Sequence, residues 1–121
     1  MVPKKYVTWE DVENFITQVV DKYAGKEITG VYGLPRGGLV FAVMLSNRLN
    51  IPMLQAPVKR CIIVDDICDS GESLLHYANN TSGEKVEYDL VTMFYKPNKL
   101  NIEPDFWVNE KHNEWIVFPW E

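Results

Sequence analysis

The chain has 121 residues, 46% hydrophobic and 24% charged, enough for one domain with a sizeable core but short for a two-domain enzyme. Its net charge of -5, with 12 Lys and Arg scattered along it, excludes the clustered basic surface that grips nucleic acid non-specifically. No repeat or low-complexity run is present, so an anionic ligand would have to be bound by local structure.

Residues 2–6 lead directly into polar, amphipathic sequence. Neither a signal peptide nor a membrane span is expected, and the expected location is cytoplasmic. Cys61 and Cys68 form no CxxC pair and have no His at ligand spacing, so both are expected to be reduced and buried. Thr8 with Asp11 reads as an N-cap and acidic first turn. Val12, Phe15, Ile16, Val19 and Tyr23 then repeat at helical spacing until Gly25.

Residues 28–32 predict a short buried strand that ends in a loop, Gly33-Leu34-Pro35-Arg36-Gly37-Gly38. The apolar run 39–49 predicts a buried helix stopping at Asn50. Pro52-Met53-Leu54 predicts a brief strand, residues 60–64 the strongest strand, residues 70–79 a helix behind it, and residues 87–95 another strand. This order predicts an α/β fold: an open, mostly parallel twisted sheet with helices on both faces. Such sheets bind ligands beyond the carboxyl ends of their strands. After Lys96-Pro97 the texture changes, and three Trp crowd into the remaining residues. The expectation is a single domain with a core over about residues 1–96 and a small C-terminal hood over about 97–121, packed on the sheet edge.

The stretch Asp69-Ser70-Gly71-Glu72-Ser73 joins a buried strand to a helix, whose first N–H groups lack intrahelical partners and can hold an anion. Taken alone, a capped helix is the commoner use of such residues. Asp65 and Asp66 stand just before it at the strand end. As neighbours their side chains should diverge, and carboxylates accept hydrogen bonds from hydroxyls rather than from phosphate. A ribose 5-phosphate satisfies both halves, with amides for the phosphate and carboxylates for the ring hydroxyls.

Apolar residues, two acids and then Asp-Ser-Gly-x-Ser closely resemble the diphosphoribosyl-binding signature of type I phosphoribosyltransferases. Residues 33–40 resemble the pyrophosphate loop of the xanthine-guanine branch. Lys96-Pro97, the run PDFW and the ending EWIVFPWE resemble that branch's purine-binding hood. The resemblance implies purine phosphoribosyl transfer: displacement at the anomeric carbon of phosphoribosyl diphosphate by xanthine, guanine or hypoxanthine, with pyrophosphate released.

Carried over residue by residue, it implies that Asp69, Ser70, Gly71, Glu72 and Ser73 hold the 5-phosphate, while Asp65 and Asp66 hold the ribose. Arg36, Gly37 and Gly38 would hold pyrophosphate, and Lys96, Trp115 and Ile116 the purine. Asp69 would be the catalytic acid or base at N7 of the base. A non-proline cis peptide would fall near Pro35-Arg36. The resemblance also implies Mg2+, carried mainly by diphosphate, ribose and water oxygens with Asp65 or Asp66 touching it through water. Glu121 is a remote candidate for a second ion. The implied partners are these small molecules and further copies of the chain, with no nucleic acid and no membrane. Trp9, Trp107 and Trp120 are assigned to the core or a subunit interface.

Two departures stand out. Only residues 55–59 occupy the place where the family inserts a long mobile lid, which implies slower transfer and more hydrolysis. Glu72 puts an acid in the phosphate loop and is expected to point outward. The rival readings are a catalytically impaired protein that binds nucleotide or phosphoribosyl diphosphate, and a generic nucleotide-binding module. The acidic pair speaks against the module because it calls for a ribose diol.

Overall fold

The structure, a computed structural model, describes residues 2–69 and 87–121. It opens with a short exposed strand, β1 (Lys4–Tyr6), followed by helix α1 (Trp9–Tyr23). Thr8 caps α1 reciprocally: its hydroxyl accepts the Asp11 N–H at 3.0 Å, and the Asp11 carboxylate accepts the Thr8 N–H at 2.9 Å. The predicted stripe Val12, Phe15, Ile16, Val19 and Tyr23 is the buried face. Each such apolar side chain contributes roughly 1.5–3 kcal/mol by leaving water.

Strand β2 (Val31–Gly33) starts later than residue 28, because Thr29 is engaged elsewhere: its N–H donates to the Arg60 carbonyl and its hydroxyl to the Lys59 carbonyl. Helix α2 (Leu39–Leu49) has the predicted bounds and ends at Asn50, which takes the left-handed conformation with φ 55°. Residues 52–54 contribute a single bridge, Met53 to Val31, rather than a strand.

Strand β3 (Cys61–Cys68) runs four residues beyond the predicted end at 64, so the acidic pair lies within the strand. Strands β4 (Tyr88–Tyr95) and β5 (Phe106–Glu110) complete a parallel sheet in the order β2-β3-β4-β5. The last strand, β6 (Trp115–Val117), pairs in parallel with β1 as a separate two-stranded sheet. Sequence reading missed β1, β5 and β6, which are short and lack a clean alternation. The main sheet thus takes in residues 106–110 of the segment assigned to the hood.

Side chains alternate across this sheet. Val31, Ile62, Val64 and Val91 join α1 and α2 in one core, with Phe41 edge-on to Phe15 at 5.2 Å and to Trp120 at 5.3 Å. Tyr32, Cys61, Ile63 and Leu90 form a second cluster on the opposite face. Both described helices lie with the first core, and the helix predicted at residues 70–79 falls outside the described residues.

The alternation slips towards the carboxyl ends, where the neighbours Met93 and Phe94 both join the helix-side core. Paired residues run as far as Asp65 with Thr92 and resume at Ile67 with Phe94. Between β4 and β5 they pass from Thr92 with Trp107 to Phe94 with Asn109. The irregularity therefore crosses three strands at the level of the acidic pair, where the fully buried Thr92 donates its hydroxyl to the Phe94 carbonyl at 2.9 Å.

The short connection stays at the amino end of the sheet. Leu54 N–H donates to the Val31 carbonyl, the Lys59 carbonyl accepts from Thr29, and Cys61 N–H closes on Val58. Both ends of residues 55–59 are thus fastened at the amino end of the sheet. Among the described residues no helix is long and apolar enough to cross a membrane.

Candidate active site

At the carboxyl end of β2 the chain folds back immediately. Leu34 N–H donates to the Val64 carbonyl at 2.9 Å, and Gly38 N–H to the Leu34 carbonyl at 2.8 Å. The peptide Pro35-Arg36 is cis, at the position the resemblance implied. Gly38 fits because it has no side chain: a methyl group there would overlap the Val64 carbonyl and come within 2.7 Å of the Leu34 nitrogen. At Gly37 a methyl group would run into the carboxylate of Asp66. The loop expected to hold pyrophosphate and the acid expected to hold ribose are thus in direct contact. Arg36, on the same turn, is exposed.

Asp65 and Asp66 turn the backbone of β3 on themselves. The Asp65 Oδ1 accepts the Asp66 N–H at 2.8 Å, and the Asp66 Oδ1 accepts the Ile67 N–H at 2.7 Å. Burial pushes the Asp65 pKa up to about 8, and the charge of Asp66 and a side-chain hydrogen bond with it push the same way. The expected divergence of the two carboxylates is therefore incomplete, because these local hydrogen bonds draw both toward the same stretch of backbone.

A carboxyl with a raised pKa stabilises the fold only while protonated. Its contribution is full below the ordinary value of 3.8 and is lost as pH rises through about 8. Asp65→Asn keeps the acceptor oxygen and removes the ionisation. In calorimetry with a chelator present, the variant is expected to melt increasingly above the parent protein as pH rises. A difference that stayed constant across that range would refute this account of Asp65.

The ends of the next strands line up beside this pair. Lys96 N–H donates to the Cys68 carbonyl at 2.9 Å, and Lys111 N–H to the Tyr95 carbonyl at 2.8 Å. Asp69, Lys96 and Lys111 therefore follow paired strand ends on β3, β4 and β5. Asp69 is half exposed at 52%, and its Oδ2 lies 3.6 Å from the Nζ of Lys111, which is only 14% exposed. Lys111 escaped the sequence reading because β5 itself did, and a lone Lys after an unrecognised strand carries no pattern.

Cys68 sits between the two acidic positions as a buried free thiol, with its pKa raised to about 11 by burial and by the charges of Asp65 and Asp69. It stays protonated at neutral pH and offers no nucleophile.

Trp115 and Ile116 stand on β6. Ile116 is buried in the core with Phe118, which is edge-on to Phe94 at 6.0 Å, whereas Trp115 is 66% exposed and presents an open indole face. Glu121 closes the final turn, its carboxylate accepting the Phe118 N–H at 2.9 Å. Trp120 and Trp107 pack on aromatic neighbours, and Trp9 meets Trp120 while remaining half exposed. Ser70, Gly71, Glu72 and Ser73, assigned to the 5-phosphate, lie outside the described residues. A cavity of about 630 Å3, lined by Tyr23, Arg60, Cys61 and Asp89 among others, opens at the amino ends of the strands, the pole opposite Asp65 and Asp69.

No family model matches the chain. It is 22% identical to a xanthine-guanine phosphoribosyltransferase of Idiomarina loihiensis, across 96% of this chain and 86% of the relative. That alignment spans 142 positions against the 121 residues here, so at least 21 positions of the relative have no counterpart. Among solved structures, a purine phosphoribosyltransferase from Pyrococcus horikoshii superposes with a TM-score of 0.81 at 28% identity, over 98% of this chain and 94% of that one. The xanthine-guanine-hypoxanthine phosphoribosyltransferase of Helicobacter pylori shares the fold with a TM-score of 0.74 at 20% identity, over 98% and 93%. The likeness runs from end to end rather than through one motif, and it supports a type I phosphoribosyltransferase of the xanthine-guanine branch.

Proposed function

We propose that the protein transfers the 5-phosphoribosyl group of phosphoribosyl diphosphate to a 6-oxopurine, xanthine, guanine or hypoxanthine, and releases pyrophosphate. The observation that carries this reading is the contact of Gly37 with Asp66, which sets a glycine loop suited to pyrophosphate against a carboxylate suited to ribose. In the reaction a bond forms between the purine nitrogen and the anomeric carbon as the bond from that carbon to the diphosphate oxygen breaks. Asp69 takes the proton that the purine loses at N7. Lys96 and the exposed Trp115 are the residues we assign to the base, the first to its 6-oxygen and the second to its ring face.

The acid pair fits Mg2+. Each carboxylate has one oxygen engaged by a backbone N–H, and a dication would favour the ionised form of Asp65, which burial first and the charge of Asp66 second disfavour. We assign the rest of the ion's coordination to substrate and water oxygens, as such ions usually have. When bound, the ion would supply positive charge to balance that of the diphosphate. Exposed Trp9, Leu39 and Val43 favour a homo-oligomer, which sedimentation would test.

One observation favours a second reading, a protein that binds these ligands and turns them over poorly: residues 55–59 stay at the amino end of the sheet and supply no lid. Incubation with Mg2+, phosphoribosyl diphosphate and each purine, following nucleotide and pyrophosphate separately, decides between the two. Equal yields of both products support transfer. Pyrophosphate in excess reports hydrolysis at an open site, and tight binding with neither product selects the second reading.

A further inference from the structure

We infer that Lys111 is a positioning residue for the reaction, holding the Asp69 carboxylate where it meets the purine. The inference rests on the proposed role of Asp69. Lys111 is not a surface lysine paired by chance. Its side chain is 14% exposed, its backbone is fastened to the Tyr95 carbonyl at 2.8 Å, and its ammonium lies 3.6 Å from Asp69 Oδ2.

Paired strands lie about 4.8 Å apart, so Lys111 at the end of β5 reaches Asp69 at the end of β3 only by spanning the end of β4, where Lys96 begins. Asp69, by contrast, is 52% exposed and opens to ligand. Without the ammonium, a carboxylate at the rim of a strand end would sample several rotamers, and proton transfer requires one of them. The four-carbon stem of Lys111, mostly removed from water, limits that freedom from the buried side while leaving the other carboxylate oxygen for the purine.

The test compares steady-state kinetics of the full chain with Lys111→Met, Lys111→Arg, Asp69→Asn and the Asp69→Asn/Lys111→Met double variant. Lys111→Met is expected to lower kcat about tenfold, with KM for phosphoribosyl diphosphate unchanged and with Lys111→Arg restoring most of the rate. In the Asp69→Asn background, Lys111→Met is expected to have no further effect, because it acts through Asp69.

A full further loss in the double variant, or a rise in KM for phosphoribosyl diphosphate to match the fall in kcat, would overturn the inference in favour of a merely structural pair. If Lys111→Met fails to fold, Lys111→Gln carries the same comparison. An inactive Asp69→Asn beside a fully active Lys111→Met would overturn the positioning role alone. A fully active Asp69→Asn would overturn both that role and the reading of the site.

Discussion

Asp69→Asn is expected to lower kcat by roughly two to four orders of magnitude while leaving KM for phosphoribosyl diphosphate close to that of the parent protein. Asparagine keeps the shape of the side chain, but it neither accepts the purine proton nor holds an ion pair with Lys111. Asp69 is half exposed, but its sole ion-pair partner among the described residues, Lys111, is only 14% exposed, so the substitution leaves a mostly buried ammonium unpaired. The melting temperature should therefore fall. Steady-state kinetics with each purine, read beside a melting curve, check both halves. A rate within a factor of about three of the parent would remove the acid-base role.

Gly37→Ala is expected to lower turnover by about two orders of magnitude, because its new methyl group would displace the Asp66 carboxylate and with it the register between the loop we assign to pyrophosphate and the acids we assign to ribose. Affinity for phosphoribosyl diphosphate should fall in parallel, measurable by calorimetric titration. Gly38→Ala makes the contrast. Its methyl group would meet main chain, the Val64 carbonyl and the Leu34 nitrogen, neither of which can rotate away. It should cost the fold about 1–3 kcal/mol, seen as a lower denaturant midpoint, besides losing activity. If Gly37→Ala bound and turned over like the parent, the contact between loop and acid would have no part in catalysis.

The legible parts of this protein are those where one local rule is strong. The Thr8 and Asp11 cap, the buried stripe of α1 and the stop at Asn50 follow from side-chain chemistry within a few residues, and the structure has α1 and α2 where the spacing put them. The cis bond at Pro35-Arg36 came instead from likeness to a family, since neither periodicity nor composition announces it. The illegible parts are those whose partners are distant. β1 is three exposed residues that become a strand only by pairing with β6, and β5 exists as a strand because β4 offers it an edge.

Sequence alone determined the α/β class and picked out the two strand-to-loop junctions to which we assign the chemistry, because apolar periodicity and turn residues act over short range. Tertiary structure alone decided that Gly37 meets Asp66, that the Asp65 carboxyl is pushed up by burial, and that Lys111 reaches Asp69 across β4. Each of these depends on contacts between residues far apart in the chain, whose distance and solvent exposure exist only once the parallel strands are laid side by side.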